Sequence, residues 1–208
     1  MITQIGKHRV RHGDVTQGID DLMAGDKADL IYSDPPWGSG NIKYWATMNR
    51  KMTGQMVEPA PLEDFLTAIF DIVARYAAGY VAIEYGVRWR DEIQQRGRQA
   101  GLTPLSVIGV TYTSKRLPLD LHLFSVDGAP LPPGYVENVQ GTSGFDCVKR
   151  AFAPLAKVAL ARNPDAIALD PCCGMGYTAE AAKLYGLSFR GNELNAKRLQ
   201  KTINRLRK

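Results

Sequence analysis

The stretch DLIYSDPPWGSG, residues 29–40, places an acid, two prolines and a tryptophan directly after an apolar run. Proline fixes φ and has no N–H to donate to a sheet, so Pro35 and Pro36 end the predicted strand, and Pro35 restrains Asp34 to an extended backbone. The Asp34 carboxylate and the Pro35 carbonyl are then two rigidly held acceptors for the two hydrogens of an amine. Trp37 adds an aromatic face on which a planar ring can stack. The pattern predicts chemistry on a ring-bound amine.

A second stretch, residues 166–199, reads AIALDPCCGMGYTAEAAKLYGLSFRGNELNAKRL. An apolar strand runs into a turn that contains Gly174 and Gly176, and a helix follows. Glycines at such a turn let the backbone approach a ligand, and Glu193 at the end of the next strand can accept hydrogen bonds from ribose hydroxyls. The G-x-G spacing lacks the third glycine of the dinucleotide fingerprint, which weakens the case for NAD. A tight strand-to-helix turn without a ligand is the alternative.

Together the two stretches resemble the amino-methyltransferases that use S-adenosylmethionine, especially the DNA N6-adenine enzymes. In that family a D-P-P-[YFW] tetrapeptide is the catalytic motif and an F-x-G-x-G-like turn is the cofactor motif. These motifs stand here at residues 34–37 and 172–176, and the resemblance covers nearly the whole chain. Their order, with the catalytic motif first, is similar to that of the permuted β class. The resemblance implies S-adenosyl-L-methionine as the cofactor and methyl transfer to the N6 amine of adenine in DNA.

The resemblance also implies which residues form the site. The catalytic residues are Asp34, Pro35, Pro36 and Trp37. The residues expected to contact the cofactor are Asp14, Asp34, Phe145, Asp146, Asp170, Pro171, Cys172, Gly174, Gly176, Thr178 and Glu193, with Thr142 as a further candidate. The family commonly carries a Thr-x-Lys-Pro-like segment ahead of the cofactor strand, where this chain has GTSGFDCVKR. We expect no metal, because none of the cysteines and histidines have zinc-ligand spacing.

The elements that must position these residues follow from alternating strand and helix patterns, which predict an α/β fold. We expect a Rossmann-like, doubly wound, mostly parallel sheet of seven strands with an antiparallel edge strand. The predicted strands are residues 8–13, 28–34, 80–86, 105–113, 121–127, 166–172 and 188–194, and the predicted helices are 61–77, 88–100, 147–162, 177–186 and 195–208. Strands 105–113 and 121–127 are too close in sequence for a helix between them, so they should pair antiparallel. The Pro- and Gly-rich segment 127–144 predicts a surface loop.

The length of 208 residues suits a single methyltransferase domain without a separate target-recognition domain. Within it, residues 1–37 form the catalytic-motif region, 38–61 a variable loop and 142–208 the cofactor-binding half. A net charge of +5 is compatible with a polyanionic partner. No secretory signal or long uncharged apolar stretch is evident, so we expect a cytoplasmic protein that does not bind membranes. A homodimer or a partner subunit is compatible with the sequence.

Two segments outside the predicted core carry basic and aromatic residues, the composition that suits phosphate contact and base stacking. The residues expected to bind nucleic acid are Lys43, Tyr44, Trp45, Arg50, Lys51, Lys115 and Arg116. A mobile lid over the cofactor would have a similar composition. Both segments are too short for many base-edge contacts, so we expect a short or relaxed recognition sequence.

Three alternatives stay open. The same chemistry could act on cytosine N4 or on a protein glutamine, but relatives with those targets usually have Ser or Asn in place of Asp34. The substrate could be adenine in RNA, because the eukaryotic mRNA adenosine methyltransferases also resemble D-P-P-W proteins. Finally, the chain could be a nucleic-acid-binding subunit without catalytic activity.

Overall fold

The structure is a computed structural model that describes residues 1–112 and 117–208. Lys115 and Arg116, two of the predicted nucleic-acid-binding residues, lie outside the described residues. The described chain forms one sheet whose strands are β1 Ile2–Ile5, β2 His8–His12, β3 Ala28–Ser33, β4 Ala77–Gly86, β5 Thr103–Tyr112, β6 Leu117–Ser125, β7 Ile167–Asp170 and β8 Ser188–Glu193. The helices are α1 Asp20–Met23, α2 Gly38–Thr53, α3 Leu62–Tyr76, α4 Arg90–Gln99, α5 Tyr135–Val139, α6 Gly144–Arg162, α7 Tyr177–Leu184 and α8 Ala196–Arg207.

The strand order is β1-β2-β8-β7-β3-β4-β6-β5. The five central strands β2, β8, β7, β3 and β4 run parallel, which confirms the mostly parallel α/β prediction. The predicted antiparallel pair of β5 and β6 is also confirmed. β6 lies one place inside the edge, because it pairs antiparallel with β4 on its other side.

The described sheet has eight strands rather than the predicted seven. The extra strand, β1, is antiparallel to β2 at the opposite edge, and Ile5 pairs with His8 across a two-residue turn. Gly6 has a φ of +54° in that turn, which glycine adopts without steric cost. The four residues of β1 are too short to show a clear strand pattern, so the prediction missed them.

Helices pack on both faces of the sheet. Leu30 and Tyr32 contribute to an apolar core that includes residues of α5 to α8, whereas Ile31, between them on β3, contributes to a second core with α1, α3 and α4. This alternation is the period of a strand that is buried on both faces. The five predicted helices are all present, with ends that differ by a few residues.

Two segments that were predicted as loops contain helices. Residues 38–53 of the predicted variable loop form α2, and α5 lies in the predicted surface loop 127–144. Tyr135 anchors α5, because its buried hydroxyl donates a hydrogen bond to the Ala151 carbonyl of α6 at 3.0 Å. No described helix has the length and apolarity that a membrane span requires.

Candidate active site

The carboxyl ends of the five parallel strands meet at one edge of the sheet, where open α/β folds bind their ligands. Asp34 follows β3, Gly86 ends β4, Asp170 ends β7 and Glu193 ends β8, while Asp14 comes shortly after β2. The topology therefore brings together the two motifs that lie about 135 residues apart in the sequence.

The Asp34-Pro35-Pro36-Trp37 turn is held from β4 by Tyr85, whose side chain is fully buried. The Tyr85 hydroxyl accepts a hydrogen bond from the Gly38 N–H at 3.1 Å and donates one to the Pro36 carbonyl at 3.2 Å. Burial raises the pKa of Tyr85 to about 12, so the hydroxyl keeps its proton at neutral pH. Tyr85 was not foreseen, and only its place at the end of a predicted strand could have indicated it.

Two features favour glycine at residue 38. Its φ is +75°, and an added Cβ would stand 3.1 Å from Nη2 of Arg88 and 3.2 Å from the Trp89 ring. The chain therefore turns sharply from the catalytic motif into α2 at this residue.

The carbonyls of the two prolines differ in their hydrogen bonding. The Pro36 carbonyl is occupied by Tyr85, whereas no described group donates a hydrogen bond to the Pro35 carbonyl. Asp34 accepts one hydrogen bond, from Nε1 of Trp37 to its Oδ1 at 3.0 Å. The predicted acceptor pair, the Asp34 carboxylate and the Pro35 carbonyl, thus retains capacity for a ligand.

The Trp37 indole is fixed on two sides. Its N–H bonds to Asp34, and its ring meets Tyr112 of β5 edge to face, with centroids 5.3 Å apart and planes at 86°. Tyr112 was not predicted as a site residue, although it lies next to the end of a predicted strand at the same edge of the sheet.

Three carboxyl groups lie at or behind the catalytic turn. Burial raises the pKa of Asp34 to about 6, while the Trp37 N–H and the Arg198 charge act in the opposite direction. The Asp34 side chain is accessible from the open pocket, so the pocket walls rather than complete enclosure reduce its hydration.

Burial also raises the pKa of Glu84 to about 8, with a further contribution from the charge of Asp34. Glu84 accepts a hydrogen bond from the buried Tyr32 hydroxyl. Asp170 is buried as well, and burial raises its pKa to about 7.

A pocket of about 1020 Å³, its open mouth included, lies between these strand ends and α2. Its lining contains nine predicted site residues: Asp14, Asp34, Pro35, Pro36, Trp37, Trp45, Pro171, Cys172 and Glu193. It also contains unpredicted polar residues, among them Asn49, Asn192, Asn195 and Arg198.

Asp14 and Glu193 contribute carboxylates to this pocket. Asp14 begins a short 3-10 turn, and its Oδ1 accepts hydrogen bonds from the backbone N–H and the hydroxyl of Thr16, both at 2.9 Å. Glu193 is buried, which raises its pKa, and its Oε1 accepts a hydrogen bond from the Asn195 N–H at 2.7 Å. These local bonds fix the carboxylates before any ligand arrives.

Six predicted cofactor residues lie outside the lining of the pocket: Phe145, Asp146, Asp170, Gly174, Gly176 and Thr178. Asp170 supports the wall instead, because its Oδ1 accepts hydrogen bonds from the Ser33 hydroxyl at 2.9 Å and the Cys172 N–H at 3.0 Å. Thr178 is buried and bonds to Asp170 from α7. These two residues join strand β3 to the glycine turn.

The two glycines of the turn face α8. A Cβ on Gly176 would stand 2.8 Å from the Cα of Thr202, so this glycine permits close packing of α8 against the turn. A Cβ on Gly174 would stand 2.6 Å from Nη2 of Arg198, which lines the pocket.

The segment before α6 lies to the side of the pocket. Thr142 extends the edge of β5, with its carbonyl accepting a hydrogen bond from the Thr111 N–H at 2.9 Å. Phe145 stacks on Tyr177 with ring centroids 5.3 Å apart. Asp146 forms an exposed ion pair with Arg150 at 2.9 Å.

Helix α2 covers the pocket and has two distinct faces. The pocket face carries Asn41, Ile42, Trp45, Ala46 and Asn49, at the spacing of one helical stripe. Four of the predicted nucleic-acid-binding residues, Lys43, Tyr44, Arg50 and Lys51, are exposed on the outer side. Trp45 lies on the pocket face instead of the outer side, and its ring packs against Arg198.

The buried Asn49 attaches α2 to the opposite wall of the pocket. Its Oδ1 accepts a hydrogen bond from Nδ2 of Asn195 at 2.9 Å, and Asn195 also caps α8 through the Arg198 N–H at 3.0 Å.

No protein-family model matches the sequence, and no curated protein matches it. Solved structures match over nearly its whole length. M1.HpyAVI in complex with SAM has a TM-score of 0.64 and 19% identity, and the match covers 94% of this chain and 97% of that chain. For TTHA0409 from Thermus thermophilus, assigned as a DNA modification methylase, the TM-score is 0.63 and the identity 18%, with 96% and 94% covered.

PvuII DNA methyltransferase, which is cytosine-N4-specific, matches with a TM-score of 0.63 and 11% identity, over 94% of this chain and 85% of that chain. Identities of this size establish the fold and nothing finer. The chain therefore has the Rossmann-like fold of these methyltransferase structures, as the resemblance of its two motifs implied.

Proposed function

We propose that this protein transfers a methyl group from S-adenosyl-L-methionine to the exocyclic N6 amine of adenine in DNA. The observation that carries the proposal is the acceptor pair at the pocket, in which the Asp34 carboxylate and the Pro35 carbonyl stay available while Tyr85 occupies the Pro36 carbonyl. The solved structure of M1.HpyAVI with SAM and the PvuII DNA methyltransferase have the same fold, which supports the choice of cofactor and of DNA.

The residues of the pocket fit this cofactor. Glu193 lines it as a buried carboxylate at a strand end, where it can accept hydrogen bonds from ribose hydroxyls. Asp14 supplies a second carboxylate to the lining. When bound, the cofactor supplies a methyl group on a positively charged sulfur.

The amine of adenine is a weak nucleophile, because its lone pair is delocalised into the ring. The Asp34 carboxylate and the Pro35 carbonyl would accept hydrogen bonds from its two N–H groups. These bonds would favour the tetrahedral geometry in which the lone pair can attack. Methyl transfer would form a bond between the amine nitrogen and the methyl carbon, and the electron pair of the broken carbon–sulfur bond would leave on the sulfur of the cofactor. The nitrogen would then lose one proton, and the Asp34 carboxylate, as the proposed hydrogen-bond acceptor of that amine, would receive it.

Ionised Asp34 is required for both roles. Since burial raises its pKa to about 6, most of the group is ionised at neutral pH, and methylation should decline as the pH falls through that value.

Trp37, which Tyr112 contacts edge to face, would hold the plane of the target base once it leaves the duplex. Stacking of a base on an aromatic side chain contributes roughly 1 to 3 kcal/mol in single-strand binding proteins.

The outer face of α2 provides the DNA contact in this proposal. Lys43, Arg50 and Lys51 would approach phosphates, and Tyr44 is 53% exposed and could stack on a base. Phosphate contacts orient DNA without reading its sequence, so we expect a short or relaxed recognition sequence.

The test is to incubate the protein with methyl-labelled cofactor and either DNA or RNA of one sequence, digest to nucleosides and identify the labelled product. N6-methyladenine from DNA is the expected result. N4-methylcytosine, or label confined to RNA, would contradict the assigned substrate, and no label with any nucleic acid would contradict the enzyme assignment.

Asp34→Ala should abolish most turnover while leaving cofactor affinity in calorimetry nearly unchanged. Asp165→Ala, which removes an exposed carboxylate outside the pocket, is the matched control. Turnover near the wild-type rate in Asp34→Ala would refute the catalytic role.

A further inference from the structure

Arg198 differs in the sign of its charge from the acidic side chains that line the pocket. The lining has four acidic side chains, Asp14, Asp34, Glu58 and Glu193, and Arg198 is the one basic side chain among the described lining residues. A ligand that matches this pattern carries net positive charge and one anionic group that lies near Arg198.

The guanidinium is held in place by its neighbours. It lies over the ring of Trp45, 4.0 Å from the ring centroid, which is a close cation–π contact. On another side, Nη2 lies in the space that a Cβ on Gly174 would require. Arg198 is therefore positioned between the inner face of α2 and the glycine turn.

The hydrogen-bonding groups of Arg198 are incompletely used. Its Nε is buried, and no described residue accepts a hydrogen bond from it. Nor does any carboxylate in the described part of the chain form an ion pair with its guanidinium. A buried donor without a partner is costly, and a guanidinium presents five N–H groups in a geometry that matches a carboxylate.

We propose that Arg198 binds the carboxylate of the amino-acid group of S-adenosylmethionine. This inference rests on the proposed function. The cofactor has one carboxylate, one ammonium and one sulfonium, and so matches a pocket with one guanidinium and several acids.

A DNA phosphate is the other anion that the reaction would bring to the protein. Arg198 is poorly placed for it, because Trp45 of α2 lies over the guanidinium, while the exposed cations Lys43, Arg50 and Lys51 occupy the outer side of the same helix. The cofactor carboxylate is therefore the better partner.

The test compares ligands that differ in the carboxylate, by calorimetry on the full chain. The ligands are S-adenosylmethionine, its decarboxylated form and 5′-methylthioadenosine, which lacks the whole amino-acid group. Arg198→Gln should weaken binding of S-adenosylmethionine by about 10- to 100-fold, the range of a lost charge-assisted hydrogen bond. It should leave the affinities for the other two ligands unchanged.

Arg198→Lys should recover part of the affinity for S-adenosylmethionine, because it restores the charge without the fork of donors. Arg207→Gln, which removes an exposed guanidinium from the last turn of α8, is the matched control and should bind all three ligands as the wild type does. Thermal unfolding of each variant checks that it is folded.

An equal loss of affinity for all three ligands would assign Arg198 a structural role and overturn the inference. Unchanged affinity for all three ligands would overturn it as well. Weaker DNA binding with unchanged cofactor binding would assign it to a phosphate and overturn the inference too. Those results would leave the proposed function standing, whereas failure of the wild type to bind S-adenosylmethionine would refute both.

Discussion

Replacing Tyr85 with phenylalanine removes one oxygen atom that holds the Asp-Pro-Pro-Trp turn. That oxygen accepts from the Gly38 N–H and donates to the Pro36 carbonyl. An average hydrogen bond contributes about 1 kcal/mol, and a buried group left without a partner costs about 1 to 3 kcal/mol. Gly38 is buried, so its N–H is left without a partner when the hydroxyl is removed. We therefore expect Tyr85→Phe to lower the free energy of unfolding by about 2 to 3 kcal/mol.

Tyr80→Phe is the matched control. Tyr80 is also a buried tyrosine of β4, but its hydroxyl makes one hydrogen bond, to the Pro130 carbonyl at 2.7 Å, outside the pocket. This variant should lose only about 1 kcal/mol. Urea unfolding of the two variants and the wild type measures the difference.

The two variants should differ more in catalysis than in stability. A displacement of about 1 Å in a reacting group can cost about 100-fold in rate, so a looser turn in Tyr85→Phe should lower kcat by about 10- to 100-fold. Cofactor affinity should change little, because Tyr85 does not line the pocket. Equal stability losses in the two variants, or an unchanged kcat in Tyr85→Phe, would refute the assignment of Tyr85 as the residue that positions the motif.

Three further predictions concern burial, backbone and charge. Burial raises the pKa of Glu84 from 4.5 to about 8, so its contribution to stability is complete below pH 4.5 and is lost as the pH rises through 8. Glu84→Gln should therefore reduce the decline in unfolding free energy between pH 5 and 8, as measured by urea titrations. Gly38→Ala should destabilise by about 1 to 3 kcal/mol in thermal unfolding, whereas Gly40→Ala, at an open position of the same helix, should be neutral or slightly stabilising. Lys51→Gln should lower the slope of log affinity for DNA against log salt by about 1, as measured by fluorescence anisotropy.

Local sequence signals were enough to predict the elements on which the site is built. All seven predicted strands and all five predicted helices are present, because alternation on strands and the apolar stripe of helices are properties of neighbouring residues. The turn after β3 was also predictable, since Pro35 and Pro36 cannot continue a strand. The roles assigned to the site residues stay predictions.

Helix α2 was predicted as a loop because Gly38 and Gly40 disfavour helix and its apolar residues are few. The signal was present in the spacing of Ile42, Trp45 and Asn49, but that stripe contains a polar residue. Asn49 is compatible with burial because Asn195 donates a hydrogen bond to its Oδ1 and the Gln55 carbonyl accepts one from its Nδ2.

The sequence alone determined the strands, the long helices and the residue types at each strand end, since these depend on backbone restriction and on the periodicity of apolar side chains. The tertiary structure decided which of those residues face one another. Tyr85 reaches Pro36 across 49 residues of sequence and Asn195 reaches Asn49 across 146, because β3 lies between β4 and β7 in the sheet. Strand order has no local signal in the sequence. Three features therefore arise only when the sheet has formed: the inward orientation of Trp45, the packing of Gly176 against α8 and the position of Arg198 in the pocket.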